Sequence, residues 1–151
     1  MASQEANQDP IDLAFLDMAK QRNLMSETFI QKSYVPFDSK NRKTEATVEK
    51  DNEEFKVMKG AVTTIAKACG LKEEEIRKLE ADAEEFASKG YRTLAVAKSD
   101  IKGQPKLVGL ATLHDTPRAD SKQLIEDLKE LGISVKMLTG DALPIAKEIA
   151  S

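Results

Sequence analysis

Two short segments of alternating polarity, joined by a tight polar turn, constrain the fold of this chain most strongly. The segments KTEATVEK and EEFKVMKG lie on either side of KDNEE, and FIQKSYVPF precedes them. Strand residues alternate between the two faces of a sheet, and so short a connection allows only antiparallel pairing. The sequence therefore predicts an antiparallel hairpin region from about residue 29 to residue 60.

Helical patterns flank these strands. Asp9 and Pro10 form a helix-start signal, and Gly70 and Gly90 are typical stop signals for two later helices. The acidic run Glu73–Glu75 lies in the first turn of the second of these, where we expect a solvated face rather than a cation site. The apolar residues predicted to face inward are Ile11, Ala14, Phe15, Met18 and Ala19 in the first helix, and Ile76, Leu79, Ala83 and Phe86 in the third.

Two more strand patterns, YRTLAVAKSD and KLVGLATLHD, complete this first region. The predicted fold class is α+β: an antiparallel sheet flanked by helices, over residues 1–113. From His114 the order changes to strand, helix, strand and helix, which is typical of a parallel doubly wound sheet. Residues 114–151 are therefore predicted to be an incomplete α/β, Rossmann-like segment. Its helix, in TPRADSKQLIEDLKELG, should bury Leu124, Ile125, Leu128 and Leu131, and ISVKMLTGD should form a strand.

Composition excludes several classes of function. The net charge of −3 argues against general binding to nucleic acid or an anionic membrane, because both need a cationic surface. No apolar run approaches the ~20 residues that span a bilayer, and the N-terminus has no signal-peptide pattern. Cys69 is the only cysteine, so we expect no internal disulfide and a small buried side chain at that position.

Three clusters supply what an adenine nucleotide needs. Phe37 could stack on a base, Gly60 allows close backbone approach, and Arg42, Lys59 and Arg92 could meet phosphates. Each also has a structural explanation: Phe37 as a core residue, Lys59 as a turn lysine, and Arg92 as an edge charge. Neither of the familiar glycine-rich phosphate loops occurs in the sequence.

A fourth cluster is TGD, at the carboxyl end of the last predicted strand. Ligands of doubly wound sheets bind at this end, and the following helix favours anions. Thr139, Gly140 and Asp141 are thus candidates for phosphate contact, although Thr139 or Asp141 could equally be a helix cap.

In this order the motifs resemble those of the P-type ATPases, most closely the plasma-membrane proton-pump class. MLTGDALPIAKE is similar to the family's M-[IL]-T-G-D segment, and HDTPRADS to its D-P-P-R hinge. VMKGA resembles K-G-A-P, PFDSKNRKT resembles the F-x-P-x-x-K-R region, and KGYRTLAVA resembles the G-[LFY]-R-x-L strand. The similarity runs from about Gln8 to Ser151.

The resemblance implies a role for each matched residue. In the nucleotide-binding domain, Phe37 would stack on adenine, Asp12 would accept a hydrogen bond from its amino group, and Lys59 would lie deep in the pocket above Gly60. Arg42 would be a basic pocket residue, and Arg92 would reach the ribose and phosphates.

Further roles fall after residue 113. Asp115 and Arg118 would belong to the hinge to the phosphorylation domain, and Thr139, Gly140 and Asp141 would meet the γ-phosphate.

The resemblance also implies what the chain lacks. The family's phosphorylated D-K-T-G-T aspartate, its G-D-G-x-N-D magnesium site and its T-G-E-S actuator segment are absent from the sequence. We therefore expect an ATP-binding piece that is not catalytic alone, with Mg²⁺ carried by the nucleotide. It would be soluble, on the cytoplasmic side of a membrane-bound parent, with the phosphorylation and actuator domains as partners. Two alternatives remain: a haloacid dehalogenase-type phosphatase, and a protein-interaction module that docks through the charged helix Lys72–Lys89.

Overall fold

Five strands and four helices make up the part of the chain that the computed structural model describes, residues 2–5, 8–25, 29–114 and 120–138. The elements are α1 (Pro10–Gln21), β1 (Ile30–Asp38), β2 (Lys43–Lys50), β3 (Glu53–Gly60), α2 (Val62–Ala68), α3 (Glu73–Ala87), β4 (Tyr91–Asp100), β5 (Lys106–His114) and α4 (Ser121–Glu130). The strands form one sheet in the order β1-β2-β3-β4-β5, and each adjacent pair is antiparallel. The predicted α+β class and the five strands predicted before residue 115 are confirmed.

The turn between β2 and β3 fixes their register. Asp51 and Asn52 have φ of 52° and 63°, the left-handed values of a two-residue hairpin turn whose twist matches that of the strands. Glu53 is consequently paired with Lys50, and the register continues without irregularity to Lys43 opposite Gly60.

The two faces of the sheet are covered differently. Helices α2 and α3 cover one face, where the core contains Met58, Ile65, Ala95 and Ala97. On the other face the buried cluster is smaller: Ala46, Val48, Phe55 and Val57, with Ala2, Phe29 and Tyr34 packed against it. Helix α1 lies on this second face. It covers that face less completely than α2 and α3 cover the first, and clefts can therefore form there.

The helix signals are confirmed at both α1 and α3. The Asp9 carboxylate accepts hydrogen bonds from the backbone N–H groups of Ile11 (2.9 Å) and Asp12 (3.1 Å). Glu75, in the acidic first turn of α3, accepts one from the N–H of Lys72 at 2.9 Å. Negative charge there caps the helix, and the described residues contain no group of His, Cys, Asp or Glu that could hold a metal ion.

Cys69 is buried, as predicted, at the end of α2. Burial raises the pKa of its thiol, so the reactive thiolate is disfavoured at neutral pH. A packing role for Cys69 follows.

The predicted inner face of α1 is partly wrong. Ala14 and Met18 are exposed, and the one buried residue of the helix is the charged Asp12. A hydrophobic pattern places an aspartate on the solvent side by default, whereas here Asp12 faces the sheet because it has a cationic partner there. In α3 the predicted stripe holds for Ile76, while Phe86 is partly exposed.

The predictions after residue 119 are less successful. Helix α4 forms, but Leu124, Ile125 and Leu131 are exposed rather than buried. Residues 133–138 form no strand, and Leu138 is 96% exposed. The exposed side chains of α4 and the missing strand have the same reason. A parallel strand needs a neighbouring parallel strand, and the described residues provide only the antiparallel sheet. Thr139, Gly140 and Asp141 lie outside the described residues, as do Asp115 and Arg118.

We expect Ile65→Ala to lower the free energy of unfolding by about 2–5 kcal/mol, because Ile65 is fully buried between α2 and the sheet. Ile101→Ala, in the exposed turn after β4, is the matched control and should cost about 0.5 kcal/mol or less. Urea denaturation of both variants measures the difference. Equal losses would contradict the assignment of the core.

Candidate functional site

A buried ion pair joins α1 to the centre of the sheet. Asp12 of α1 is 3% exposed, Lys59 of β3 is 5% exposed, and the Lys59 ammonium donates a hydrogen bond to Oδ1 of Asp12. Removing two charges from water costs several kcal/mol per ion, so such a pair persists only when further partners satisfy both groups.

Lys59 has those partners. Its Nζ donates to Oγ of Ser3 at 2.7 Å and lies 4.5 Å from the centre of the Phe15 ring, in cation–π geometry. An ammonium has three hydrogens, and Asp12, Ser3 and the ring of Phe15 surround it. Lys59 is therefore held in place as well as charged.

The Asp12 carboxylate is equally well held. Its Oδ2 accepts hydrogen bonds from the backbone N–H of Gln4 (2.9 Å) and from the hydroxyl of Tyr34 (2.8 Å). Burial by itself raises the pKa of Asp12, but the hydrogen bonds from Lys59, Gln4 and Tyr34 together outweigh it, so the pKa falls below its ordinary value. The group is thus an anionic acceptor at neutral pH.

A cleft of about 440 Å³ opens beside this pair, between the start of α1 and strands β1 to β4. Its lining residues are Asp9, Ile11, Asp12, Tyr34, Pro36, Phe37, Thr44, Lys59, Gly60, Arg92 and Leu94. The side chain of Phe37 is 58% exposed, whereas phenylalanine side chains are among those most often buried. The cleft therefore combines an accessible ring, a fixed carboxylate at its inner end and the guanidinium-bearing residue Arg92.

Gly60 lines the cleft where the β1–β2 turn crosses the end of β3. A Cβ at this position would overlap the carbonyl oxygen of Arg42 and lie 2.8 Å from Cα of Lys43. That carbonyl accepts a hydrogen bond from the N–H of Ala61 at 3.0 Å. Glycine is required here because two backbone segments meet.

The structure brings five of the predicted residues together at the cleft, namely Asp12, Phe37, Lys59, Gly60 and Arg92. Arg42 does not line the cleft. It occupies the exposed turn with φ of 49°, and its backbone carbonyl makes the contact with β3.

Sequence reasoning missed Tyr34 and Thr44. Thr44 could have been found, because the two-residue turn at Asp51–Asn52 places residue 44 opposite Lys59 by simple counting. Tyr34 could not have been found by counting, because the pairing of β1 with β2 has register irregularities on both sides of residues 33–35.

The comparison with family models identifies the protein family of this chain. Residues 2–133 match the model of the P-type ATPase cytoplasmic domain N. The chain belongs to the P-type ATPases. The predicted resemblance is confirmed, and the five-stranded antiparallel sheet with its helices is consistent with domain N of this family.

Proteins similar to this chain include much longer proteins that are named as ATPases. A protein of Methanocaldococcus jannaschii, whose name assigns it to the cation-transporting ATPases, is 42% identical over 152 residues, which cover 99% of this chain and 19% of that protein. Two proteins of Leishmania donovani, named as proton ATPases 1A and 1B, are 38% identical over 125 residues, which cover 82% of the chain and 13% of each protein. The chain thus spans less than a fifth of the length of these relatives. None of the helices among the described residues of this P-type ATPase chain has the length and hydrophobicity of a membrane span.

We expect Gly60→Ala to destabilise this P-type ATPase chain by about 1–3 kcal/mol, because the added methyl group must displace the backbone of the β1–β2 turn. Gly103→Ala is the control, since its Cβ would come no closer than 3.3 Å, to Cβ of Asp100. Thermal unfolding followed by circular dichroism compares them. A loss no larger than that of the control would refute the close approach at Gly60.

The ion pair predicts a pH dependence of stability. Because the pKa of Asp12 is lower in the folded than in the unfolded chain, its contribution is present above the ordinary value of 3.8 and is lost as the pH falls through the lower folded value. At pH 7, Asp12→Asn should cost about 3–5 kcal/mol, because Lys59 is left buried and unpaired. Between about pH 4 and pH 2 the difference from wild type should shrink.

Urea denaturation at each pH measures this difference. Asp17→Asn, on the exposed side of α1, is the matched control and should change stability by about 0.5 kcal/mol or less at every pH. A loss for Asp12→Asn that stays constant down to pH 2 would refute the assignment of the pair.

Proposed function

We propose that this chain binds ATP in the cleft beside Asp12 and Lys59 and presents it to an aspartyl phosphorylation site elsewhere in a longer P-type cation pump. The observation that carries the proposal is the exposed ring of Phe37 on the same cleft as the buried carboxylate of Asp12. An accessible aromatic face and a fixed acceptor at the inner end are what a purine base with an exocyclic amine requires.

The adenine ring stacks on Phe37 in this proposal. Stacking between a base and an aromatic side chain is worth about 1–3 kcal/mol. A carboxylate has about four acceptor sites, and Lys59, Gln4 and Tyr34 occupy three of those on Asp12. The remaining site accepts a hydrogen bond from the adenine amino group.

The phosphates extend toward Arg92, on the exposed side of β4. A guanidinium binds phosphate oxygens with two parallel N–H donors. Lys59 is less suited to this task, because Asp12, Ser3 and Phe15 already surround its ammonium group. Its role in the proposal is to orient Asp12, and Mg²⁺ is carried by the nucleotide.

The remaining assignments rest on family membership. Residues 1–113 are the nucleotide-binding domain, and residues 114–151 contain the hinge, with Asp115 and Arg118, and the start of the phosphorylation domain. The segment Thr139–Asp141 meets the γ-phosphate when the domains close. The transported ion is the proton, because two relatives are named as proton ATPases. The parent lies in a membrane with this part on its cytoplasmic side, and its phosphorylation and actuator domains are the partners.

Phosphoryl transfer depends on positioning and charge neutralisation more than on covalent chemistry by the binding domain. We therefore expect the chain alone to bind ATP without hydrolysing it. Phosphate release with ATP and Mg²⁺ would instead favour the phosphatase alternative. The expected affinity is low, with Kd near 1 mM or about 4 kcal/mol, because one stacked ring and a few solvated contacts contribute.

An amide-resolved NMR titration with ATP tests the site. We expect saturable shifts around the cleft in the wild type, and Phe37→Ala should weaken binding about 5- to 150-fold through loss of the stack. Phe86→Ala, a partly exposed phenylalanine of α3 that does not line the cleft, is the control. Equal affinity of the Phe37→Ala variant and wild type would refute the proposal.

Arg92→Gln separates the two halves of the ligand. It should weaken ATP binding about tenfold and adenosine binding less, because the guanidinium reaches both the ribose and the phosphates in this proposal and adenosine has no phosphate contact to lose. Arg77→Gln, on the exposed face of α3, provides the control for the loss of charge. Equal weakening of ATP and adenosine would show that Arg92 acts on the structure of the cleft rather than on the phosphates.

A further inference from the structure

A second cavity lies on the same face of the sheet, on the other side of Lys59 from the nucleotide cleft. Its volume is about 440 Å³, within the range of sites for small organic molecules. The apolar part of its wall includes Phe15, Phe29, Phe55, Val57, Val96 and Val108. Val108 is 69% exposed, so the cavity is open to solvent at β5.

Three aromatic rings in the wall of this cavity are each in cation–π contact with a lysine. The ammonium of Lys98 lies 4.1 Å from the centre of the Phe55 ring, that of Lys50 lies 5.0 Å from the centre of the Phe29 ring, and Lys59 lies over Phe15. All three lysines line the cavity. Contact with a ring face places these ammonium groups beside the apolar wall, while Lys50 and Lys98 stay exposed to solvent.

The three cations differ in their counter-charges. Lys59 is paired with Asp12. Neither Lys50 nor Lys98 forms an ion pair with any carboxylate of the described residues, although other surface lysines, such as Lys32 and Lys89, do. Two positive charges thus stand beside an aromatic pocket without an anionic partner in the described part of the chain.

We propose that this cavity is a second ligand site, which binds a small aromatic monoanion such as an arylsulfonate or an aryl carboxylate. The aromatic body of the ligand lies among Phe15, Phe55 and Val96, and its anionic group lies between Lys50 and Lys98. Charge complementarity selects this class, because a neutral apolar molecule leaves both ammonium groups unpaired. Lys50, Lys98 and the rings that they contact do not line the first cleft, so the evidence for this second site does not rest on the proposed nucleotide binding.

The two cavities share Lys59, which lines both. A ligand that displaces the Phe15 ring changes the contact between that ring and the Lys59 ammonium group. Because Lys59 is paired with Asp12, the change reaches Asp12 as well. We therefore expect occupancy of the second site to change the affinity of the first, and the reverse change must be equal in size.

A pair of matched fluorescent probes tests the site in the intact 151-residue chain: anilinonaphthalene sulfonate, which is anionic, and N-phenylnaphthylamine, its neutral analogue. Lys50→Gln and Lys98→Gln should each weaken binding of the sulfonate by about two- to fivefold, as expected for one solvent-accessible ion pair, and leave binding of the neutral probe unchanged. Lys78→Gln, on α3 beside the other face of the sheet, removes the same charge and should affect neither probe.

Val108→Trp closes the mouth of the cavity and should weaken both probes at least tenfold. Methyl shifts of Val57, Val96 and Val108 on adding the sulfonate to wild type should locate it, and unchanged urea midpoints confirm that the variants fold. The proposal is overturned if Val108→Trp binds the sulfonate as wild type does, or if the two lysine variants weaken both probes equally. Binding of the sulfonate without any ATP binding would support the second site while refuting the proposed function.

Discussion

The buried pair of Asp12 and Lys59 is the interaction on which the rest of this face of the sheet depends. It anchors α1 to β3, and through Gln4 and Ser3 it also fixes residues 2–4 against the sheet. Asp12 is the one fully buried residue of the helix, while Ile11, Phe15 and Leu16 are half-buried, so charge and hydrogen bonds act together with apolar packing to place it. Both cavities follow from that arrangement, since they lie on opposite sides of Lys59 and share it as a wall.

Much of the fold could be predicted from local signals, because antiparallel strands are paired by nearby turns. The turn at Asp51–Asn52 sets the register of β2 and β3, and through it the position of Thr44 beside Lys59. Predictions failed where a residue depends on distant parts of the chain. The inner face of α1 was misplaced because a hydrophobic pattern cannot detect that Asp12 has a lysine 47 residues away. The strand expected at residues 133–138 has no parallel neighbour in the described residues, and periodicity alone cannot supply one.

The candidate site shows the same division. Phe37, Lys59, Gly60 and Arg92 were found from short motifs and meet at one cleft, although their roles toward a nucleotide stay predictions. Arg42 was expected to contribute its charge and instead contributes a backbone carbonyl. Tyr34, which helps to hold Asp12, lies on β1, whose register is irregular, and belongs to no motif. Together they give a rigid inner end and an accessible aromatic mouth, which is the geometry on which the proposed nucleotide site rests.

The most direct test of this account is a double-mutant cycle on the ion pair, with Asp12→Asn, Lys59→Met and the combined variant measured by urea denaturation. If the pair organises this face, each single variant leaves a buried group without its partner, and the combined variant is at least as stable as either one. The expected coupling is about 2 kcal/mol or more. Additive losses in the cycle would contradict the account, because they would mean that Asp12 and Lys59 stabilise the chain independently.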